Sequence, residues 1–174
     1  DKKIILGGPH PTALYDEILK TVPEVDFVAI REGEESLLGL LEYLEGKRKF
    51  EELSGLAARD EFGEVVVLKS AKRIKNLNQD NIPFPARHLL PMENYIQAQE
   101  GHGPSSGRWT SILSSRGCPF GCTFCESRKT IWVSRTPEDV VDEMEYCLRE
   151  WGINEFHFED DNMTIKKKRL IGIC

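Results

Sequence analysis

The sequence predicts an α/β chain in two parts joined by a connector, and three observations point to it. Residues 1 to about 50 alternate continuous apolar strands with amphipathic helices, the pattern of a parallel sheet covered by helices. Residues 51–108 lose that alternation and are punctuated by proline and glycine. From Trp109 a strand–loop–helix–strand series begins, the unit of a parallel barrel.

The apolar run Ile4-Ile5-Leu6 reads as the first strand and stops at Gly7-Gly8-Pro9. Leu14, Ile18, Leu19 and Val22 then recur at helical spacing up to Pro23. Val25–Ile30 is a second, mostly apolar strand. It passes through Arg31-Glu32-Gly33-Glu34-Glu35 into a helix carrying Leu37, Leu41 and Leu44, with Leu38 and Leu40 beside them and Gly46 as its C-cap. Two strands do not make a sheet alone, so its remaining strands are expected before Asp1. In the connector, Leu56–Arg59 and Val65–Leu68 flank Asp60-Glu61-Phe62-Gly63 as a small hairpin. Asn81–Pro85 is extended and proline-broken, and Gly101–Gly107 reads as a mobile loop. Thr110–Ser114 is the next strand. Thr136-Pro137 starts a helix with Thr136 as N-cap and Pro137 at its first position. That helix shows Val140, Val141, Met144, Cys147, Leu148 and Trp151 on one face and ends at Gly152, before a strand at 155–159.

Composition sets the outer limits. The chain has 174 residues, 40% of them hydrophobic and 30% charged, with a net charge of -6. The acidic balance gives no support to a large nucleic-acid surface. No apolar run approaches the roughly 20 residues that span a bilayer. Neither end has a polar, tapering character, so the sequence reads as a piece of a longer protein.

The most informative feature is Cys118-Pro-Phe-Gly-Cys122-Thr-Phe-Cys125. Three thiolates at this spacing suit three corners of a cubane iron–sulfur cluster and leave the fourth iron without a protein ligand; electron carriers generally use four cysteines. Gly117 and Gly121 let the backbone fold closely, and Pro119 stiffens the turn. Zinc is the competing metal, with His102 or His157 as a fourth ligand, but no second Cys-x-x-Cys pair exists. Five cysteines without an apolar leader do not suggest a disulfide framework. A thiolate-bound cluster needs a reducing compartment, which agrees with the cytoplasm.

On this motif the sequence resembles the radical S-adenosylmethionine superfamily. The resemblance implies a [4Fe–4S] cluster on Cys118, Cys122 and Cys125, whose open iron chelates S-adenosylmethionine and whose electron yields a 5′-deoxyadenosyl radical. It implies Phe124 beside the adenine. Glu159, Asp160 and Asp161 stand where many members carry a Gly-Gly-Glu motif for the methionyl amine, although the two glycines are absent. Arg135 is expected at the S-adenosylmethionine carboxylate or at a nearby acid.

In order, a GGPHPT turn, a REGEES turn, a connector ending in IPFPAR and the cysteine motif resemble the cobalamin-binding-domain branch, that of anaerobic magnesium-protoporphyrin cyclases and P-methylases. This resemblance covers nearly the whole chain. It implies that residues 1–50 are the end of a Rossmann-like cobalamin-binding domain, with Gly7 and Gly8 against the cobalamin tail. Residues 51–108 would be the connector, and 109–174 the first strands of a partial TIM-like barrel. The histidine motif that ligates cobalt in many such domains is absent, and His10 follows a different strand. The remaining candidates read as structure: Arg31–Glu35 as a helix start or domain interface, Cys147 as core, and Lys166–Arg169 as a solvated helix face.

The expected activity is cobalamin-dependent methylation of an unactivated carbon in a small-molecule substrate, or a ring-forming oxidation, with an external donor such as flavodoxin or ferredoxin supplying electrons. Two alternatives remain. One is a methylthiotransferase acting on transfer RNA or a ribosomal protein, against which residues 1–117 offer no further cysteine. The other is a non-catalytic zinc or iron–sulfur module.

Overall fold

The computed structural model describes residues 2–70, 74–79, 81–98 and 107–174. It forms two units, 1–74 and 75–174. His102 and most of the predicted Gly101–Gly107 loop lie outside the described residues.

In the first unit, strands β1 (Ile5–Leu6), β2 (Phe27–Ala29), β3 (Leu56–Arg59) and β4 (Val65–Val67) form one sheet in that order. β1 and β2 run parallel, joined by helix α1 (Pro9–Thr21). The period-two alternation of strands sorts the core into two layers. Phe27, Ala29, Leu56 and Ala58 pack with Leu40 of helix α2 (Glu34–Leu44). Val28 and Ala57 pack on the other face with Leu19 of α1. A sheet buried on both faces explains why its strands read as continuous apolar runs.

Two expectations change here. The hairpin placed in the connector pairs antiparallel with β2, so it supplies two strands of the first sheet and makes that sheet mixed. Arg59 fastens it by donating to the carbonyl of Leu19 in the last turn of α1, where carbonyls lack helical partners, and to those of Pro23 and Val25 just beyond the helix. On α2 the core contact is Leu40, flanked by buried Ser36 and Gly39. Leu37, Leu38, Leu41 and Leu44 are exposed, so the predicted apolar stripe is displaced around the helix.

In the second unit, β5 (Trp109–Ile112) and β8 (Glu155–Phe158) pair in parallel, Trp109 opposite Glu155 through Ile112 opposite Phe158. Helix α4 (Pro137–Trp151) is the crossover between them. Thr136 caps it by accepting from the Asp139 N–H, and Gly152 ends it, as its sequence predicts. Between β5 and α4 the short strands β6 (Ser115–Arg116) and β7 (Val133–Ser134) pair antiparallel and close the base of a long loop. Helix α3 (Met92–Ala98) places Met92 and Ile96 against Cys147 and Ile153, and helix α5 (Lys167–Ile173) follows β8. Among the described residues no helix is long and apolar enough to cross a membrane.

Candidate functional site

The loop between β6 and β7 carries Cys118, Cys122 and Cys125. All three thiols are free, Cys122 exposed and the other two half-buried. The loop leaves the sheet at Gly117, whose φ of +82° lies in the left-handed region. A Cβ there would stand 2.4 Å from the Ile131 carbonyl oxygen, so no other residue fits without moving the backbone. Thr130 closes the loop locally. Its Oγ1 accepts from the Cys118 N–H at 2.8 Å, and its own N–H donates to the Cys118 carbonyl at 2.9 Å. The Lys129 N–H reaches the Phe120 carbonyl at 2.8 Å.

The end of β8 meets this loop, as the parallel-strand pattern predicts. Asp160 accepts from the Ser114 N–H at 2.7 Å and from the Ser114 and Ser115 hydroxyls. Asp161 accepts from the Gly117 N–H at 2.7 Å and from the Ser127 hydroxyl. These two acids are thus occupied in bracing the loop. Glu159 is exposed, and the described residues give its carboxylate no partner. Phe124 is 92% exposed, an aromatic ring held at the loop surface without a packing role.

Arg135 does not lie open to a ligand. Only 7% exposed, it donates through Nε to Asp139 and through Nη1 to Glu143 and the Leu113 carbonyl. Its Nη2 takes the Asp139 carbonyl at 2.8 Å. The guanidinium is engaged by the internal acids Asp139 and Glu143. Arg169 corrects the reading of the basic run: it is buried, with Nε on the Arg135 carbonyl and Nη2 on the Ser114 carbonyl. Burial pulls its pKa below the usual arginine value, and Asp160 opposes that shift.

Among the described residues, no three His, Cys, Asp or Glu side chains stand close enough together to hold a metal ion. The backbone is pinned while the thiols are not converged. Three free thiols in one loop, a donor set of soft sulfur ligands, fit an iron–sulfur cluster.

In the first unit, Gly7 and Gly8 follow β1 at its carboxyl end, the edge where open α/β sheets take ligands. Gly8 has φ +100°, and a Cβ there would meet nothing within 4 Å. Its requirement is conformational and the space beside it is open. Thr12 joins the two strand ends: its N–H donates to the Gly8 carbonyl at 3.0 Å, and its Oγ1 accepts from the Arg31 N–H at 3.0 Å. Arg31 has φ +68°, a strained conformation for a non-glycine residue that no sequence signal announced.

No family model matches the chain. Among curated proteins it is 34% identical over 173 residues to an uncharacterised methyltransferase of Pyrococcus horikoshii, covering 98% of this chain and 36% of that protein. It is 33% identical to a cytidylyl-2-hydroxyethylphosphonate methyltransferase of Streptomyces wedmorensis, covering 91% of this chain and 34% of the relative. An anaerobic magnesium-protoporphyrin IX monomethyl ester cyclase of Cereibacter sphaeroides matches at 33% identity over 98% of this chain and 27% of its own length. The fold matches the cobalamin-dependent S-adenosylmethionine radical enzyme OxsB, solved with aqua-cobalamin and S-adenosylmethionine bound, at a TM-score of 0.73 and 20% identity, covering 98% of this chain and 23% of that one. The chain is thus similar in sequence to part of each of these methyltransferases and the cyclase, and in fold to part of OxsB. It spans about a third of the length of the curated relatives it matches. A second fold match is the radical S-adenosylmethionine methyltransferase TsrM of Kitasatospora setae, solved in one structure with cobalamin and a [4Fe–4S] cluster, at a TM-score of 0.61, covering 93% of this chain and 31% of that one.

Proposed function

We propose that this chain belongs to an enzyme that holds a [4Fe–4S] cluster on Cys118, Cys122 and Cys125 and binds S-adenosylmethionine at the open iron. The observation that carries the reading is the three-cysteine loop braced from the carboxyl end of the neighbouring parallel strand. When bound, the cluster supplies the electron that cleaves S-adenosylmethionine to a 5′-deoxyadenosyl radical, and cobalamin supplies a methyl carrier.

The chain's own residues bind and orient. Glu159 is the acid free to take the methionyl amine, since Asp160 and Asp161 are engaged in the loop. Phe124 offers an exposed ring to the adenine. The open edge at Gly7 and Gly8 admits the cobalamin tail. Methylation of an unactivated carbon in a small molecule is the first reading. Oxidative cyclisation is the second, favoured by the magnesium-protoporphyrin cyclases among the relatives. A flavodoxin or ferredoxin donates the electron, nucleic acid is not a partner, and the setting is the reducing cytoplasm.

Anaerobic reconstitution of the complete protein tests this. It should take up roughly four irons and release 5′-deoxyadenosine from S-adenosylmethionine under reduction, and both should fail in each Cys→Ala variant. Gly7→Val probes cobalamin without backbone strain, because its Cβ makes only an ordinary 3.7 Å contact with Ala29. It should weaken cobalamin binding and leave iron uptake intact. Retained zinc without a visible cluster would overturn the assignment.

A further inference from the structure

Asp161 grips the cysteine loop at both ends. Its Oδ2 accepts from the N–H of Gly117, the residue before Cys118, at 2.7 Å. Its Oδ1 accepts from the hydroxyl of Ser127, two residues beyond Cys125. All three thiols lie between those anchors. Thr130 also closes the loop, through Cys118 and the Ser127 carbonyl, but Thr130 belongs to the loop itself. Asp161 comes from beyond the end of β8 and fastens the loop to another strand of the parallel pair. Asp160 fixes the preceding turn in the same way at Ser114 and Ser115.

We propose that Asp161 is a positioning residue for the iron–sulfur cluster: its carboxylate spans the two ends of the cysteine loop and sets the separation at which the three thiolates reach one cluster. This rests on the cluster assignment above. It also gives Asp161 a task other than holding the ammonium of S-adenosylmethionine. The brace is a matter of geometry. An amide of the same shape can serve it, with Oδ1 accepting from Gly117 and Nδ2 donating to the Ser127 oxygen. A ligand-ammonium site is a matter of charge, and an amide fails there.

The test compares Asp161→Ala, Asp161→Asn and Ser127→Ala in the complete, anaerobically reconstituted protein. Iron loss to a ferrous chelator is followed by visible absorption, and S-adenosylmethionine affinity by equilibrium binding. Losing both hydrogen bonds should make Asp161→Ala shed iron about tenfold faster or more. Asp161→Asn should stay within about twofold of wild type in both iron loss and affinity, and Ser127→Ala should fall between. Circular dichroism checks that each variant is folded. Should Asp161→Ala not fold, Ser127→Ala decides, since it removes one anchor without touching β8. Wild-type iron retention in the folded variant would overturn the brace. So would an Asp161→Asn variant that keeps its cluster and loses S-adenosylmethionine. A wild type that takes up no iron sinks the cluster reading and the brace together; an intact wild-type cluster beside an unchanged Asp161→Ala sinks the brace alone.

Discussion

Glu143 should be the most costly acid to neutralise in the second unit. It lies on the buried face of α4 at 1% exposure, with Oε1 accepting from Arg87 Nη1 at 2.6 Å and Oε2 from Arg135 Nη1. Arg135 keeps Asp139 if Glu143 is lost, whereas among the described residues Arg87 keeps just the Ser111 carbonyl at 3.0 Å. Removing one partner of a buried pair costs about 3–5 kcal/mol, because the remaining charge is left in a poorly solvated place. Glu143→Gln preserves shape but turns an amide N–H₂ toward one guanidinium, so about 3 kcal/mol is expected. That is a large share of the roughly 5–15 kcal/mol that holds a domain folded. With a urea dependence of about 1–3 kcal/mol per molar, the unfolding midpoint should fall by about 1–3 M. Circular dichroism during urea titration at neutral pH reads it. The double variant Arg87→Met/Glu143→Leu should be less unstable than the sum of its singles by about 1–3 kcal/mol. A Glu143→Gln loss under about 1 kcal/mol, or strict additivity in the double variant, would show that Glu143 and Arg87 are not a coupled buried pair.

Other outcomes follow from the same contacts. Gly117→Ala should abolish cluster assembly while leaving helix content near wild type, because its Cβ meets the Ile131 oxygen inside the loop and not in the core; a normal visible spectrum would contradict this. In the metal-free protein, a thiol reagent should label Cys118, Cys122, Cys125 and Cys174 and spare Cys147, whose fully buried thiol has its pKa pushed up by desolvation. Rapid native labelling of Cys147, read by peptide mass spectrometry, would show that α4 does not pack as described. Asp26 has its carboxyl held below the usual value by a hydrogen bond from Lys3 and another from the Ile4 N–H. Its contribution to stability is present above the ordinary carboxylate value of about 3.9 and lost as pH falls through the lower folded value. Asp26→Asn should therefore flatten the acid limb of the stability curve below about pH 4, and an unchanged limb would remove the assignment.

Much of this was legible in the sequence because the relevant signals are local. Thr136-Pro137 can only start a helix comfortably, and the helix begins there. Continuous apolar runs marked β1 and β2, and the cysteine spacing marked the loop. The parallel pairing of β5 and β8 brought Asp160 and Asp161 to that loop as expected. What stayed hidden depends on partners far apart in the chain. The hairpin at 56–67 could not reveal that it joins β2, since edge pairing is decided by the sheet that receives it. Asp139 and Glu143 sit among the apolar positions of α4, a signal that could have announced buried ion pairs. Arg135 stands four residues before Asp139, a readable i,i+4 spacing, but Arg87 lies 56 residues before Glu143, at a spacing no motif records. The same network engages the Arg135 guanidinium. Arg31 was unreadable for another reason: its positive φ is imposed by the turn that Thr12 clamps, against the residue's own preference.

The cluster proposed on Cys118, Cys122 and Cys125 would leave one iron open to S-adenosylmethionine. Electron paramagnetic resonance of the dithionite-reduced, reconstituted complete protein addresses it directly, recorded before and after S-adenosylmethionine is added. The expected result is a [4Fe–4S]⁺ signal whose g-values change on addition, and no such signal in Cys118→Ala, Cys122→Ala or Cys125→Ala. A signal indifferent to S-adenosylmethionine would mean that no iron is open to it, and a protein that binds only zinc would mean that there is no cluster at all.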